Sequence, residues 1–302
     1  MGLVQPLLMR ITMTGATGFL GRNLVQMLSA DGHSICLLTR KPVTGLPGNV
    51  EIFMWDPPRV DPPAESLRDS DAVIHLAGKP IAQRWTPATK KELVSSRLDS
   101  TRVLVQALST LTRRPPLLLS ASAIGFYGER GDELLDETSA VGDGFLAKLS
   151  EDWEKQADMA RSLGIRVNCL RTSVVLGKGG GAMESMLPAF RFGVGGKLGT
   201  GQQWMSWIHM EDWIGMLVHL LKNSLPSGPV NLTAPHPVRN IEFATTLGRV
   251  LHRPALLSVP AFALRLLLGE MSSVVLTSQR VVPTTQYEFR FPTLETALRS
   301  LL

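Results

Sequence analysis

Cysteine is scarce in this sequence, and the common metal-binding motifs are missing from it. Its two cysteines, Cys36 and Cys169, each lie in an apolar run that is typical of a buried strand. Two cysteines of this kind do not indicate a disulfide framework, and they suit a reducing compartment. Because neither C-x-x-C nor H-E-x-x-H spacing is present, the sequence predicts no metal site.

Long apolar runs and dense charge are missing too. No run of about eighteen apolar residues occurs, and residues 1–8 are too short for a secretory signal, so we expect a cytoplasmic protein that does not enter a membrane. The net charge is +5, but the basic residues are scattered and form no stripe with aromatics, which argues against nucleic acid as a partner. A G-x-S-x-G elbow is absent, which argues against a serine hydrolase.

What the first half of the chain does have is an alternation of short apolar runs and helical patterns. The predicted strands are 10–15, 34–39, 50–55, 71–78, 116–122 and 165–172, and the predicted helices are 19–30, 87–111 and 145–163. The strand runs are apolar throughout, which is typical of strands covered on both faces and so of a parallel sheet. The sequence therefore predicts an α/β fold with a doubly wound parallel Rossmann sheet.

The pattern changes in the second half. A glycine-rich segment, 177–203, indicates a mobile connection and a lid, and two or three helices follow Val238. We predict that the chain leaves the sheet here and returns to it once. The predicted division is a Rossmann core at 9–175 and 207–235 and a smaller, mainly helical substrate lobe at 176–206 and 236–302.

The segment TGATGFLGR (14–22) joins the first predicted strand to the first helix. In it, Gly15 permits a sharp turn, Gly18 lets the backbone approach a pyrophosphate, and Gly21 lets the helix pack closely. The free N–H groups of the helix start favour phosphate, so this context predicts dinucleotide binding, the alternative being a tight turn without a ligand. The predicted contacts are Gly15, Thr17, Gly18, Phe19, Leu20, Gly21 and Arg22.

The end of the second strand selects between the two nicotinamide cofactors. An acidic residue there would bind the 2′-hydroxyl of NAD, but the sequence has Arg40 and Lys41. Arginine matches phosphate geometry with two parallel donors, so we favour NADP(H) over NAD(H). The alternative is that Arg40 is simply an exposed loop residue.

These segments, with HLAG (75–78), SASAIGFYG (120–128) and WIHMED (207–212), resemble the extended short-chain dehydrogenase/reductases. More closely, three long stretches are similar to an atypical branch of nucleoside-diphosphate-sugar epimerase-like proteins, some of which carry a cell-division-inhibitor label. These stretches are SRLDSTRVL (96–104), RTSVVLGKGGGAM (171–183) and GTGQQWMSWIHMED (199–212). The resemblance covers nearly the whole chain.

The resemblance implies roles by position. Ser122 takes the place of the serine that binds a substrate oxygen, and Lys148 takes the place of the lysine that grips the nicotinamide ribose. The other cofactor contacts that the resemblance implies are Leu76, Ala77 and Gly78 near the riboses and Thr172 and Ser173 near the carboxamide.

The chain also departs from the family pattern. Family enzymes have Tyr-x-x-x-Lys, in which the lysine lowers the tyrosine pKa so that the phenol transfers protons, but Gly144 stands at the tyrosine position. Arg97 stands where an asparagine is usual. The standard catalytic set is therefore incomplete, as it is in the atypical branch.

Other side chains are candidates to replace the missing phenol. Tyr127 follows Ser122 on the same loop, and His209 titrates near neutral pH, although a histidine before a helix often only bonds locally. Arg171 and Arg280 are candidates to bind an anionic substrate, or equally to form structural ion pairs.

Two functions fit these observations. The first is an NADP(H)-dependent oxidoreductase or epimerase that acts on a small carbonyl or sugar-nucleotide substrate with a rearranged proton donor. The second is a non-catalytic NADP(H)-binding sensor or regulator, for example of cell division. Either protein would be a monomer or a homodimer, and the fold alone does not choose between them.

Overall fold

Strands and helices alternate along the computed structural model, which describes residues 8–223 and 225–302. The strands are β1 (Arg10–Thr14), β2 (Ser34–Thr39), β3 (Val50–Met54), β4 (Ala72–His75), β5 (Leu117–Ala123), β6 (Leu134–Leu135), β7 (Arg166–Thr172), β8 (Val174–Leu176), β9 (Gly196–Leu198), β10 (Trp204–Met205), β11 (Trp207–His209), β12 (Gly228–Leu232), β13 (Val238–Arg239), β14 (Leu257–Val259) and β15 (Arg280–Val281). The α-helices are α1 (Phe19–Ala30), α2 (Ala64–Leu67), α3 (Pro87–Ser109), α4 (Phe145–Asp158), α5 (Gly181–Arg191), α6 (Met210–Lys222), α7 (Asn240–Val250), α8 (Ala261–Leu268), α9 (Ser273–Leu276) and α10 (Leu294–Leu301).

Seven of the strands form one sheet in the order β12-β7-β5-β4-β1-β2-β3. Every neighbouring pair in it is parallel. From β1 the chain adds β2 and β3 on one side of the sheet, and it then adds β4, β5, β7 and β12 on the other side. Because the direction reverses between β1 and β4, a crevice opens at the carboxyl ends of these two strands. The predicted doubly wound α/β fold is confirmed.

Apolar side chains cover both faces of this sheet. On one face Ile11 and Ile74 pack with Trp213 of α6, and on the other Val73 and Leu118 pack with residues of α3. The prediction of strands covered on both faces is wrong for β3, whose residues Glu51, Ile52 and Met54 are exposed. β3 is one of the two edge strands, and the four-residue helix α2 that follows it is too short to cover it.

The two cysteines lie where the apolar runs placed them. Cys36 in β2 and Cys169 in β7 are buried free thiols. In the part of the chain that the structure describes, no helix is both long and apolar enough to cross a membrane.

Short strand pairs and helices lie beside the main sheet and carry a third apolar cluster, which includes Met183, Trp207, Phe243 and Leu298. The pairs are β8–β11, β9–β14, β10–β13 and β6–β15. After Val238 the described chain forms α7 to α10, more than the two or three helices predicted, and the strand pairs were not predicted at all. Strands of two or three residues with distant partners leave no periodic signal. The proposed division into core and lobe stays a prediction.

A buried histidine in β4 makes the stability of the fold depend on pH. His75 is fully buried, its Nδ1 lies 2.7 Å from Thr14 Oγ1, and its Nε2 lies 3.0 Å from Thr101 Oγ1. Burial lowers the pKa of His75 from 6.5 to about 4. The folded protein therefore keeps this ring neutral at pH values where the unfolded chain protonates it.

We expect the free energy of unfolding to be constant with respect to His75 above about pH 7 and to fall by about 2 kcal/mol towards about pH 5. Urea unfolding at several pH values measures this dependence. His75→Gln should be less stable overall but should lose less stability on acidification than the wild type. Exposed His236 supplies the control, since His236→Gln should leave the pH dependence unchanged. An unchanged pH dependence in His75→Gln would contradict the assignment.

Candidate functional site

A cleft of about 650 Å³ opens where the carboxyl ends of the central strands meet the segment around α9. The glycine turn after β1 forms one end of the cleft, and α3 and α4 form a wall. Its lining includes Gly15, Gly18, Phe19, Leu20, Gly21, Leu76, Gly78, Arg97, Ser122, Leu146, Ser150, Trp153, Thr172, Ser173 and Gln279. The structure thus brings together most of the residues that the sequence assigned to a cofactor.

The three glycines of the turn differ in what an added side chain would meet. Gly15 has φ +70°, and a Cβ there would lie 2.6 Å from the Leu76 carbonyl. A Cβ on Gly21 would collide with the Gly15 carbonyl, so Gly21 lets α1 pack closely against the glycine turn itself. A Cβ on Gly18 would meet nothing nearer than the Gly15 oxygen at 3.4 Å, an ordinary contact. Among the residues that the structure describes, no neighbouring atom therefore requires glycine at position 18.

The start of α1 offers unpaired N–H groups to the cleft. Gly18 is the N-cap residue and provides no side-chain cap, and the first helical hydrogen bond runs from the Arg22 N–H to the Gly18 carbonyl at 3.0 Å. The N–H groups of the three residues between them precede the helical ladder and have no acceptor in it. With the helix dipole they favour an anion at this place.

The end of β2 brings two cations beside the same turn. Leu38 pairs with Thr14 in the sheet, so the next residues along β2 lie level with the glycine turn. Arg40 and Lys41 are exposed there, and Thr39 Oγ1 donates to the Lys41 carbonyl at 3.0 Å. This end of β2 therefore carries positive charge where an NAD-binding strand would carry a carboxylate.

The glycine-rich segment after β8 packs on the first turn of α1. Arg22 donates to the Gly179 carbonyl, and its guanidinium lies 5.9 Å from the Phe19 ring centre. A Cβ on Gly181 would lie 2.8 Å from that ring. The predicted mobile connection is here in close contact with the candidate cofactor site. Two of the predicted cofactor contacts, Thr17 and Ala77, lie outside the cleft lining. Thr17 is exposed, and the N–H of half-buried Ala77 donates to Thr14 Oγ1 at 3.1 Å.

Ser122 belongs to a buried polar network. Its hydroxyl donates to Glu154 Oε1 at 2.6 Å, and Arg171 donates to the two oxygens of Glu154 at 2.9 Å each. Arg171 also donates to the Tyr127 hydroxyl at 3.0 Å, and that hydroxyl donates to Asn231 at 2.7 Å. Arg171 therefore forms the structural ion pair that was its alternative role.

Tyr127 is placed where it does not serve the cleft. Its side chain is 0% exposed and both partners of its hydroxyl are protein groups. Burial raises the pKa of Tyr127, although Arg171 opposes the shift. A phenol with a raised pKa that does not line the cleft is a poor proton donor near neutral pH, so we remove Tyr127 from the candidate catalytic groups.

Lys148 faces away from the cleft, contrary to its predicted role. Its ammonium bonds Glu151 at 3.1 Å and Asp152 at 2.8 Å on the exposed face of α4. These contacts raise the pKa of Lys148. Leu146 and Ser150, four residues apart on one face of α4, line the cleft. Lys148 lies midway between them in the sequence, so the helical period directs it to the opposite face. Gly144, at φ +98°, precedes the helix.

The remaining polar residues of the prediction make contacts with protein groups outside the cleft lining. His209 caps α6 by accepting the Glu211 N–H at 3.1 Å, its ring lies 3.9 Å from that of Phe291, and burial lowers its pKa to about 4. The Arg280 guanidinium lies 4.5 Å from the Trp204 ring. Neither His209 nor Arg280 lines the cleft, so the structure does not support either as a group that meets the substrate.

Thr172 and Ser173 do line the cleft, at the end of β7. The Thr172 hydroxyl accepts from Trp213 Nε1 at 3.2 Å, and Ser173 Oγ donates to the Leu232 carbonyl at 3.0 Å. Their positions are consistent with the implied carboxamide contact, which stays a prediction.

Sequence reasoning missed Glu154 and underrated Arg97. Glu154 was missed because its partner Arg171 lies on β7, outside the range of any local pattern. Arg97 was noted only as a replacement for asparagine, yet it lines the cleft. A helical projection of α4 from Phe145 would have separated Lys148 from the cleft face.

Comparison with known proteins identifies relatives over the whole length. A model of the NAD dependent epimerase/dehydratase family matches residues 11–232, and a domain of unknown function, DUF1731, matches residues 259–301. The chloroplastic epimerase family protein SDR39U1 homolog of Arabidopsis thaliana is 42% identical over 310 residues, covering 97% of this chain and 87% of that protein. Epimerase family protein YfhF of Bacillus subtilis is 39% identical over 299 residues, covering 97% of this chain and 98% of that protein.

A solved structure extends the similarity to three dimensions. The crystal structure of human epimerase family protein SDR39U1 (isoform 2) with NADPH has a TM-score of 0.85 and 33% identity, covering 97% of this chain and 99% of that one. The names of these relatives state a family and, for the human protein, a bound cofactor.

Proposed function

The chain belongs to the NAD dependent epimerase/dehydratase family, and we propose that it is an NADP(H)-dependent oxidoreductase or epimerase-like enzyme of a small substrate. Family membership confirms the resemblance to the extended short-chain dehydrogenase/reductases. The observation that carries the proposal is Gly18, whose bare backbone faces the cleft at a helix start although no atom in the described part of the chain requires glycine there.

The glycine turn fits the diphosphate of a dinucleotide. The collisions that a Cβ would make at Gly15 and Gly21 shape the turn, and the open side of Gly18 admits the ligand. Arg40 beside the turn supports NADP(H), and NADPH in the human relative supports it independently. Leu76 and Gly78 would contact the riboses, and Thr172 and Ser173 would contact the carboxamide.

We expect Arg40→Ser to weaken NADPH binding about 10- to 100-fold and to leave NADH binding nearly unchanged. One charge-assisted pair with the 2′-phosphate accounts for about 1.5 to 3 kcal/mol, and this phosphate is absent from NADH. Fluorescence titration with both cofactors measures the effect. Arg59→Ser is the matched control, because Arg59 is equally exposed but follows β3. An unchanged preference in Arg40→Ser would contradict the role of Arg40.

The chain's own contribution to chemistry is positioning. A bound nicotinamide supplies the hydride. Because Ser122 donates its proton to Glu154, the lone pairs of its oxygen remain available to accept a hydrogen bond from a substrate hydroxyl. The Glu154–Arg171 pair fixes Ser122 in this orientation.

A second candidate function is a non-catalytic NADP(H)-binding sensor or regulator, for example of cell division. The observation that favours it is the cleft face of α4, where Leu146 and Ser150 carry no group that titrates near neutral pH. With the phenol of Tyr127 buried, none of the described residues that line the cleft reproduces the usual proton donor.

A turnover assay separates the two functions. Wild-type protein with NADPH or NADP⁺ is offered carbonyl compounds, alcohols and sugar nucleotides, and the absorbance of reduced nicotinamide and the sugar products are followed. Turnover that Ser122→Ala reduces would support the enzyme. Tight NADPH binding without turnover, together with a partner that binds only one redox state of the cofactor, would support the sensor. Cytoplasmic location and a monomeric or homodimeric state stay predictions.

A further inference from the structure

We propose that Arg97 forms the binding site for the carboxylate of a small substrate with an apolar body, at the floor of the cleft. The proposal rests on the proposed function, since it names the substrate class of the same site. It is carried by a cation that the fold buries without an anionic partner.

Arg97 lies on α3 with 9% of its surface exposed. Its Nη1 donates to the Leu93 carbonyl at 3.2 Å, and its guanidinium lies 5.1 Å from the Trp153 ring centre. On its other side is the loop after β4, since a Cβ on Gly78 would lie 3.3 Å from the Arg97 Cζ. The guanidinium is therefore held in place between Gly78 and Trp153.

No carboxylate pairs with Arg97 among residues 8–223 and 225–302. Burial lowers the pKa of Arg97 to about 10, and no neighbouring charge contributes to the shift. An unpaired cation in a poorly solvated place is costly. An anion bound beside it would offset that cost, and the guanidinium has donors to spare for both oxygens of a carboxylate.

The other charged groups of the cleft lining have partners of their own or lie elsewhere in it. Lys79 pairs with Glu92. Glu129 accepts the N–H groups of Ser278 at 2.7 Å and Gly131 at 3.0 Å. Asp143 lies in the loop before α4 and makes no ion pair with Arg97. Within the described lining, Arg97 is the cation best placed to meet an incoming anion.

Much of the lining of the cleft that contains Arg97 is apolar, which indicates the body of the substrate. Its apolar walls include Ile81, Trp85, Phe145, Leu146, Leu149 and Trp153. A sugar would leave many hydroxyl groups without partners against such walls, whereas an aromatic or branched aliphatic body would be buried favourably. Ser122 and Ser150 supply hydroxyl groups for one further polar atom. The substrate class is therefore an apolar carboxylic acid with an additional oxygen.

A phosphate of the cofactor is the other anion that could reach Arg97, so the test separates the two sources. Quenching of tryptophan fluorescence is measured with phenylacetate and with the neutral phenylacetamide as probes, on protein with and without NADPH. NADPH affinity is measured separately by calorimetry. The variants are Arg97→Met, which keeps an apolar stem against Trp153, Arg97→Lys, which keeps the charge, and the control Arg102→Met on the exposed side of α3.

The proposal predicts saturable binding of phenylacetate and binding of phenylacetamide at least about 10-fold weaker. In Arg97→Met, phenylacetate affinity should fall at least about 10-fold, while NADPH affinity should stay within about twofold of wild type. The phenylacetate affinity of Arg97→Lys should lie between those of wild type and Arg97→Met. The control Arg102→Met should bind phenylacetate and NADPH like wild type. Without ligand, the melting temperature of Arg97→Met should equal or exceed that of the wild type, because the unpaired charge is gone.

Three results would overturn the proposal. These are absence of phenylacetate binding to wild type, equal phenylacetate binding by Arg97→Met, and loss of NADPH affinity in Arg97→Met, which would assign Arg97 to a cofactor phosphate. Failure of wild type to bind NADPH would instead refute the proposed function, and phenylacetate binding to the cofactor-free protein would still decide the role of Arg97. If Arg97→Met does not fold, Arg97→Lys alone decides. Phenylacetate binding weaker than in wild type, with phenylacetamide binding unchanged, would support the proposal. Affinities for both probes equal to those of wild type would refute it.

Discussion

Replacing Gly18 with alanine is expected to weaken NADPH binding at least about 100-fold while leaving the protein folded. A Cβ at this position meets no atom of residues 8–223 and 225–302 closer than 3.4 Å, and the backbone of Gly18 is extended rather than left-handed. The methyl group would instead occupy the space through which a diphosphate reaches the N–H groups of α1. Losing two charge-assisted hydrogen bonds, or about 3 kcal/mol, accounts for the expected change.

Two other glycines make this prediction specific. Gly48→Ala, at a site with no neighbour within 4 Å, should bind NADPH like wild type. Gly21→Ala should lose both binding and stability, because its Cβ would lie 2.6 Å from the Ala16 Cα. Calorimetric titration and thermal unfolding measure the two effects separately. Normal NADPH affinity in Gly18→Ala would show that no diphosphate lies against this turn.

Arg171→Met is expected to lower the free energy of unfolding by about 3 to 5 kcal/mol. The side chains of Arg171 and Glu154 are 5% and 12% exposed, and two hydrogen bonds of 2.9 Å join them. Removing the cation leaves Glu154 charged and buried with Ser122 as its remaining donor, and it takes one donor from the Tyr127 hydroxyl. An unpaired buried charge of this kind is strongly destabilising.

Urea unfolding of matched variants tests this expectation. Arg161→Met breaks an exposed pair with Asp158 and should change the stability by less than about 1 kcal/mol. The double variant Arg171→Met with Glu154→Leu should recover much of the stability, because it removes both charges. A loss of under about 1 kcal/mol in Arg171→Met would mean that the pair is hydrated and that the network does not position Ser122.

Local patterns in the sequence were sufficient for the central sheet and the cofactor turn. The first helix and second strand have their predicted bounds, Phe19–Ala30 and Ser34–Thr39, because an apolar period and a closing glycine are local signals. The glycine turn was readable for the same reason, since strand, turn and helix are adjacent in the chain. The family comparison then supported what the local pattern had indicated.

The side chains that line the cleft were predicted less well from the sequence. Lys148 was matched to the family lysine by resemblance, without regard to the helix face on which it lies, and its ammonium pairs with Glu151 and Asp152 on the exposed face of α4. Tyr127 seemed available because it follows Ser122 closely, but contacts with Arg171 and Asn231, far along the chain, bury its hydroxyl. Which side chains face a cleft depends on packing between distant segments, and a single sequence does not encode that in any local period.

The central claim is that the glycine turn and the end of β2 hold NADP(H). Isothermal titration calorimetry of NADPH and NADH into the wild-type protein tests it most directly. We expect one NADPH per chain and an affinity for NADH at least about 10-fold weaker, as one phosphate contact accounts for about 1.4 kcal/mol or more. Absence of binding heat and of fluorescence change with either cofactor would contradict the claim.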